Sequence, residues 1–192
     1  MHTSAQSSDI SRALDTLRGG GLILYPTDTI WGIGCDATNP EAVDRVFQLK
    51  GRNEGKSLII LLDSDSKLHS YVPEVPEVAY QLIEYTDRPL TIVYSGGKNL
   101  APNLLAGDGS IGIRIVDHPF CSPLLHRFRK PIVSTSANLS GQPAPSNFKD
   151  IAGEIVDGVD YVASYGQDDL AQGRASIVMK LEAGGKFSFV RR

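Results

Sequence analysis

Two short stretches of this sequence carry side chains suited to holding anions. Arg45 to Lys56 contains four cations and one acid, in a chain whose net charge is -3. Lys50 and Arg52 occupy alternate positions, so an extended segment would point them the same way. With Lys56 they would form a trio suited to a polyphosphate, the lysines as point charges and Arg52 as a planar fork. The competing reading is a solvated surface loop, the usual state of a charge run. On either reading the cations are exposed, and replacing Lys50 or Arg52 is expected to weaken anion use while sparing the fold. The second stretch, Ser134-Thr-Ser-Ala-Asn138-Leu-Ser-Gly141, packs four hydroxyls and one carboxamide into eight residues. Its short side chains would let backbone amides reach a ligand, although such turns also serve to satisfy their own backbone.

Other chemistry is excluded by spacing. Gly51-Arg-Asn-Glu-Gly55-Lys56-Ser57 imitates a phosphate-binding P-loop, but it has one residue too few between its glycines. It also leaves a helix and enters a strand, so its amides would not lie at a helix N-terminus. Gly32 and Gly34 lack the third glycine of a dinucleotide fingerprint. His2, His69, His118 and His126 have no metal-ligand spacing among themselves or with Cys35 and Cys121, and no Gly-x-Ser-x-Gly anchors a hydrolase triad.

The elements that must position these stretches follow from periodicity. Ile10, Ala13, Leu14 and Leu17 mark a helix, with Ser8 placed to cap its start and Gly19-Gly20 to end it. Gly21 to Tyr25 reads as a buried strand, then a turn leads into the glycine-rich Trp31 to Cys35, where backbone must approach something closely. Asn39-Pro40-Glu41 opens a second helix that ends near Leu49. Strands over 58–62, 90–94, 111–116 and 131–133 alternate with helices over 75–83 and 120–128. A polar loop covers 134–146, a helix begins near Phe148, and short strands lie near Tyr161, Ile177 and Phe187. This interleaving without a clean period favours an α/β sandwich around a mixed sheet over a doubly wound parallel one.

With 192 residues, the chain is expected to form a single domain spanning 1–192. Forty-one per cent hydrophobic content is that of a folded globular protein, and two cysteines suit a core that needs no disulfide. The slightly acidic balance gives no global attraction to nucleic acid or anionic lipid. No apolar run approaches a membrane span and the first twenty residues lack a signal core, so a cytoplasmic protein is expected.

Taken in order, Tyr25-Pro-Thr-Asp-Thr29 with Gly32-Ile-Gly34, then Lys50-Gly-Arg52 with Lys56, then Arg114 ahead of Asp117-His118-Pro119, then Ser134 to Gly141, resemble the YrdC family. This is the threonylcarbamoyl-AMP synthase family, and the resemblance runs from about Gly20 to Ser176. It implies an α/β sandwich around a twisted mixed sheet with a concave cationic cleft. It also implies a reaction of L-threonine, bicarbonate and ATP, with Mg²⁺ accompanying the nucleotide, giving threonylcarbamoyl-AMP and pyrophosphate. A transferase complex would pass the group to an adenosine of tRNA.

By the same resemblance, Lys50 and Arg52 would be catalytic and, with Lys56, would hold the ATP phosphates. Ser136, Asn138 and Ser176 would complete the ATP site, and Thr29, Arg114 and Ser134 would hold threonine; no protein metal ligand is implied. The chain departs from the family pattern at Asn53, Arg88, Tyr165-Gly166 and Lys180, and no second domain is expected beyond Arg192. A rival reading keeps the cationic cleft in a noncatalytic paralogue that binds tRNA or double-stranded RNA; in the synthase, direct RNA binding is expected to be weak. The rival gives no reason to present Thr29, Arg114 and Ser134 together.

Overall fold

The computed structural model describes residues 4–51, 58–171, 173–181 and 186–191. Helix α1 (Ser4–Arg18) buries Ile10, Ala13, Leu14 and Leu17, the apolar stripe its sequence carries. It begins a turn before Ser8. One turn further on, Ser11 Oγ donates back to the Ser7 carbonyl at 2.8 Å, so this hydroxyl is satisfied within the helix. Gly20, at φ 76°, takes the left-handed conformation that ends it.

Strands β1 (Ile23–Tyr25) and β2 (Gly32–Gly34) pair antiparallel. The close approach expected at the glycines is to the sheet itself. A Cβ on Gly34 would lie 2.7 Å from the Val133 carbonyl oxygen and 2.6 Å from the Tyr25 ring. Because one of those neighbours is backbone, Gly34→Ala is expected to destabilise the fold by about 1–3 kcal/mol. Thermal unfolding of the variant checks this; an unchanged midpoint would show that the strands can separate freely there.

Helix α2 (Pro40–Leu49) starts as its sequence dictates, with the Asn39 carboxamide oxygen accepting from the amides of Glu41 (3.0 Å) and Ala42 (3.2 Å). There follow β3 (Ile59–Leu62), α3 (Leu68–Tyr71), α4 (Glu77–Tyr85), β4 (Leu90–Tyr94), β5 (Ile111–Ile115) and α5 (Cys121–Phe128). Strand β6 (Ile132–Ser136) runs three residues into the stretch expected to be loop. It is flanked on both edges, by β2 through Gly32↔Ser136 and by β3 through Ile59↔Ser134, and these ladders hold the hydroxyl residues extended.

The helix expected from Phe148 is divided into a single tight turn, Phe148–Asp150, and α6 (Gly153–Asp157). Ile151 and Ala152 between them are extended (ψ 128° and 142°), which breaks the run of helical carbonyl acceptors. Strands β7 (Tyr161–Val162), β8 (Ile177–Leu181) and β9 (Phe187–Arg191) complete the described chain.

The strands form one sheet in the order β7-β1-β2-β6-β3-β5-β4-β8-β9. The pairs β1–β7, β3–β5 and β4–β8 are parallel, and the others are antiparallel, so the sheet is mixed. Register separates its two faces. Val133, Ile60, Ile113, Ile92 and Met179 lie opposite one another across successive ladders, and all are buried. They share a core cluster with the inner faces of α1, α2 and α5, each fully buried side chain contributing about 1.5–3 kcal/mol. Because side chains alternate along a strand, the next residues, Ser134, Arg114, Thr91 and Val178, face the other way. This polar row is the floor of the candidate site.

Candidate functional site

The row opens into a cavity of about 320 Å³ whose walls come from the Thr29–Gly32 turn, from Leu58 and Ile59, and from Ala175, Ser176 and Arg191. Arg114 is its buried cation, only 4% exposed. One guanidinium nitrogen, Nη2, lies 3.0 Å from Asp28 Oδ1 and donates to Thr27 Oγ1 at 3.4 Å. The contact with Asp28 is a close charge pair without hydrogen-bond alignment, since Asp28 Oδ1 and Arg114 Nε both remain without a hydrogen-bond partner among the described residues. Burial pushes the Asp28 carboxyl above its ordinary range, and the neighbouring guanidinium opposes that shift. Arg114 therefore keeps donor capacity that Asp28 does not satisfy.

Thr27 organises the turn beside Arg114. Its hydroxyl donates to the Ile30 carbonyl at 2.7 Å, accepts the Thr29 amide at 3.1 Å and shares a hydrogen bond of 2.9 Å with the Thr29 hydroxyl. Thr29 is thereby held nearly buried, at the cavity wall. On the opposite side the hydroxyls of Thr91 and Ser176 are hydrogen-bonded at 2.9 Å. Arg191, brought back by β9, donates from Nε and Nη2 to the Ser176 carbonyl at 3.2 and 3.1 Å. Trp31, packed on Phe148 with ring centroids 4.8 Å apart, supplies an apolar side.

Among the described residues the cavity wall holds two guanidiniums, of Arg114 and Arg191, and six hydroxyl side chains, but no carboxylate. Such a lining suits a ligand with several anionic oxygens, each meeting a fixed donor in partly desolvated surroundings. It offers no cage of carboxylate oxygens for a hard cation.

Of the residues singled out from sequence, Thr29, Arg114, Ser134, Ser136 and Ser176 are brought together in this wall. Arg52 and Lys56, with Asn53, lie outside the described residues. Asn138 does not line the cavity; its amide nitrogen donates to the carbonyls of Leu139 (3.1 Å) and Gln142 (2.6 Å), which folds the turn after β6.

Lys50 requires a correction. It is not an exposed loop cation: it is 3% exposed, and its ammonium donates to the Ser136 carbonyl at 2.5 Å and the Asn138 carbonyl at 2.6 Å. Its own carbonyl accepts the Ser140 amide at 2.9 Å. The reason is topological, because α2 ends beside the C-terminal end of β6, where the Ser136 and Asn138 carbonyls converge on the residue that caps it.

Sequence reasoning missed Asp28, Thr91 and Arg191. Asp28 stands inside a recognised motif, so a signal existed. Thr91 and Arg191 reach the site only through ladder register, and no spacing relates them to it.

Tyr165 and Gly166 belong to an adjoining cavity of about 280 Å³ that shares Thr29, Ile30 and Trp31 with the first. Lys180 does not line either cavity and pairs with Asp108 at 3.2 Å. Arg88 lines a separate cleft with Asp28 and Asp117. Among the described residues no helix is long and apolar enough to cross a membrane.

A family model described as telomere recombination, Sua5/YciO/YrdC, matches residues 15–192. A threonylcarbamoyl-AMP synthase of Photobacterium profundum is 34% identical over 150 residues, covering 77% of this chain and 81% of the relative. One from Pseudoalteromonas translucida is 36% identical over 164 residues, covering 80% and 87%. Among solved structures, Pyrococcus abyssi Sua5 complexed with L-threonine superposes with a TM-score of 0.83 at 27% identity, over 95% of this chain. The chain spans 53% of the length of that protein.

Proposed function

Because the chain belongs to the Sua5/YciO/YrdC family, we propose that it is a threonylcarbamoyl-AMP synthase, converting L-threonine, bicarbonate and ATP into threonylcarbamoyl-AMP and pyrophosphate. The observation that carries this reading is the carboxylate-free wall in which Thr29, Arg114 and Ser134 converge beside Ser136 and Ser176. A substrate with an amine, a hydroxyl and a carboxylate finds there a guanidinium with spare donors and hydroxyls on two sides. Relatives named for this activity, and a threonine-bound structural neighbour, favour the synthase over an RNA-binding paralogue.

Bicarbonate carbon becomes bonded to the threonine nitrogen with loss of water, giving a carbamate. A carbamate oxygen then attacks the α-phosphorus of ATP, and the bond to the departing pyrophosphate breaks. No side-chain nucleophile is required, so catalysis rests on positioning and on charge neutralisation. In this assignment Arg114 fixes the threonine carboxylate, with Thr29 and Ser134 orienting the rest of the amino acid. Ser136 and Ser176 bind the nucleotide, Asn138 serves it by folding the turn after β6, and Lys50, Arg52 and Lys56 act around its phosphates, Lys50 through the carbonyls it holds. Bound Mg²⁺ would shield phosphate charge. The product would pass to a threonylcarbamoyl transferase complex acting on tRNA, in the cytoplasm.

The test is incubation with labelled bicarbonate, threonine and ATP. A threonine-dependent labelled adenylate with matching pyrophosphate is the expected result. No adenylate, together with submicromolar, threonine-insensitive tRNA binding that falls steeply with salt, would replace the synthase with the RNA-binding reading.

A further inference from the structure

We propose that Asp9, on α1 and outside the residues matched by the family model, is a positioning residue for the threonine half of the site, acting by clasping the segment 163–171. This rests on the proposed synthase reading.

Asp9 is a carboxylate on an otherwise apolar helix face, 5% exposed beside Ile10 and Ala13. A buried carboxylate is costly unless its oxygens are well bonded. Here both are: Oδ1 accepts the Tyr161 hydroxyl and the Ser164 amide (3.1 Å), and Oδ2 accepts the Tyr165 amide (2.7 Å). Burial and the Asp9 carboxylate push the Tyr161 hydroxyl up to about 12, so it remains a donor at neutral pH. All three donors lie just at or after β7, where the chain leaves the sheet.

From that anchor the chain turns back over the site. Tyr165 stacks on Phe120 with centroids 6.1 Å apart. Gly166, at φ +80°, brings its backbone against Pro26 and Trp31, and a Cβ there would lie 3.6 Å from Pro26. Asp169 donates its amide to the Gly166 carbonyl at 3.1 Å, continuing the turn. Further on, Gly173 packs so closely on the Thr29 carbonyl that a Cβ would lie 2.0 Å from it. The turn carrying Thr29 is thus held between the sheet and this segment, and the clasp at Asp9 sets where the segment starts. Ser176, beyond the segment, is fixed independently through Thr91 and Arg191.

Asp9→Asn replaces one acceptor oxygen with an amide that opposes a backbone N–H, whichever way it is turned. L-threonine binding by calorimetry, without ATP, should weaken roughly tenfold, as expected when charge-assisted bonds to a carboxylate are lost. In steady-state assays the threonine KM should rise while the ATP KM moves less than about twofold. Tyr161→Phe, which removes one bond and no charge, should shift threonine binding the same way by a smaller factor.

Asp36→Asn is the control for mere destabilisation. Asp36 is equally buried and bonded, to Lys130 and Thr38, but lines neither cavity. It should lower the unfolding midpoint without altering threonine binding. The clasp is overturned if Asp9→Asn and Tyr161→Phe bind threonine like the wild type, or if Asp36→Asn weakens it equally. It is also overturned if the threonine and ATP requirements rise together. Wild-type protein that takes up no threonine would instead overturn the proposed function, and the clasp's role with it.

Discussion

Arg114→Lys should raise the threonine requirement by roughly tenfold to a hundredfold and leave the ATP requirement nearly unchanged, the loss of one or two charge-assisted bonds. The guanidinium does two jobs at once. Nη2 faces Asp28 and Thr27, while Nε, buried and without a partner among the described residues, retains a donor for a ligand. An ammonium on a shorter reach can remain beside Asp28 or turn to the substrate, but it cannot present a fork to both. Arg114→Leu should be more severe. It leaves Asp28 buried with its countercharge removed, and breaking such a pair costs about 3–5 kcal/mol unless the carboxyl takes up a proton. The Asp28 carboxyl already lies above its ordinary range, so protonation is the expected escape, and the leucine variant should lose stability more at high pH than at low pH. Steady-state kinetics with each substrate varied, plus unfolding at two pH values, check both statements. Equal effects of Arg114→Lys on threonine and ATP would remove Arg114 from the threonine subsite.

Lys50→Ala should both lower the unfolding midpoint and impair ATP use. Removing the ammonium takes the charged donor from the Ser136 carbonyl, which keeps the Asn138 amide at 2.9 Å, and leaves the Asn138 carbonyl without the donor that satisfied it. One orphaned buried group costs about 1–3 kcal/mol, so roughly 2 kcal/mol is expected. For a domain of this size that corresponds to a midpoint lowered by about 4–8 °C. Ser136 then loses the constraint that aims it into the cavity, and the ATP requirement should rise with the stability loss. Lys50→Arg, which keeps the charge but not the compact three-donor head, should recover part of the stability. If Lys50→Ala abolishes ATP use with no change in the unfolding midpoint, the ammonium serves the phosphates directly and the carbonyl clamp is incidental.

The contrast between Lys50 and Arg114 shows what could be read without coordinates. Residue type and order along the chain brought out both, because a ligand with anionic oxygens demands cations and an ordered set of motifs narrows the ligand's class. Local physics was equally legible. Asn39-Pro40-Glu41 started α2 where it stands, the apolar stripe of α1 lies buried, and β4 has the bounds expected of it, 90–94. These features depend on interactions within a few residues, which sequence spacing encodes.

What spacing does not encode is the environment each side chain meets. Lys50 becomes a buried clamp because α2 ends beside the C-terminal end of β6. Ser134 to Ser136 become strand because β2 and β3 flank them on both edges. Thr91 and Arg191 join the site through the registers of β4 with β5 and of β8 with β9, between segments far apart in the chain. Asp9 looks from sequence like one more polar residue on a helix, yet it holds a segment more than 150 residues away. Side-chain chemistry and local periodicity are properties of the chain, whereas burial, register and partner choice belong to the assembled sheet and its helices, and those decided how each charge is used.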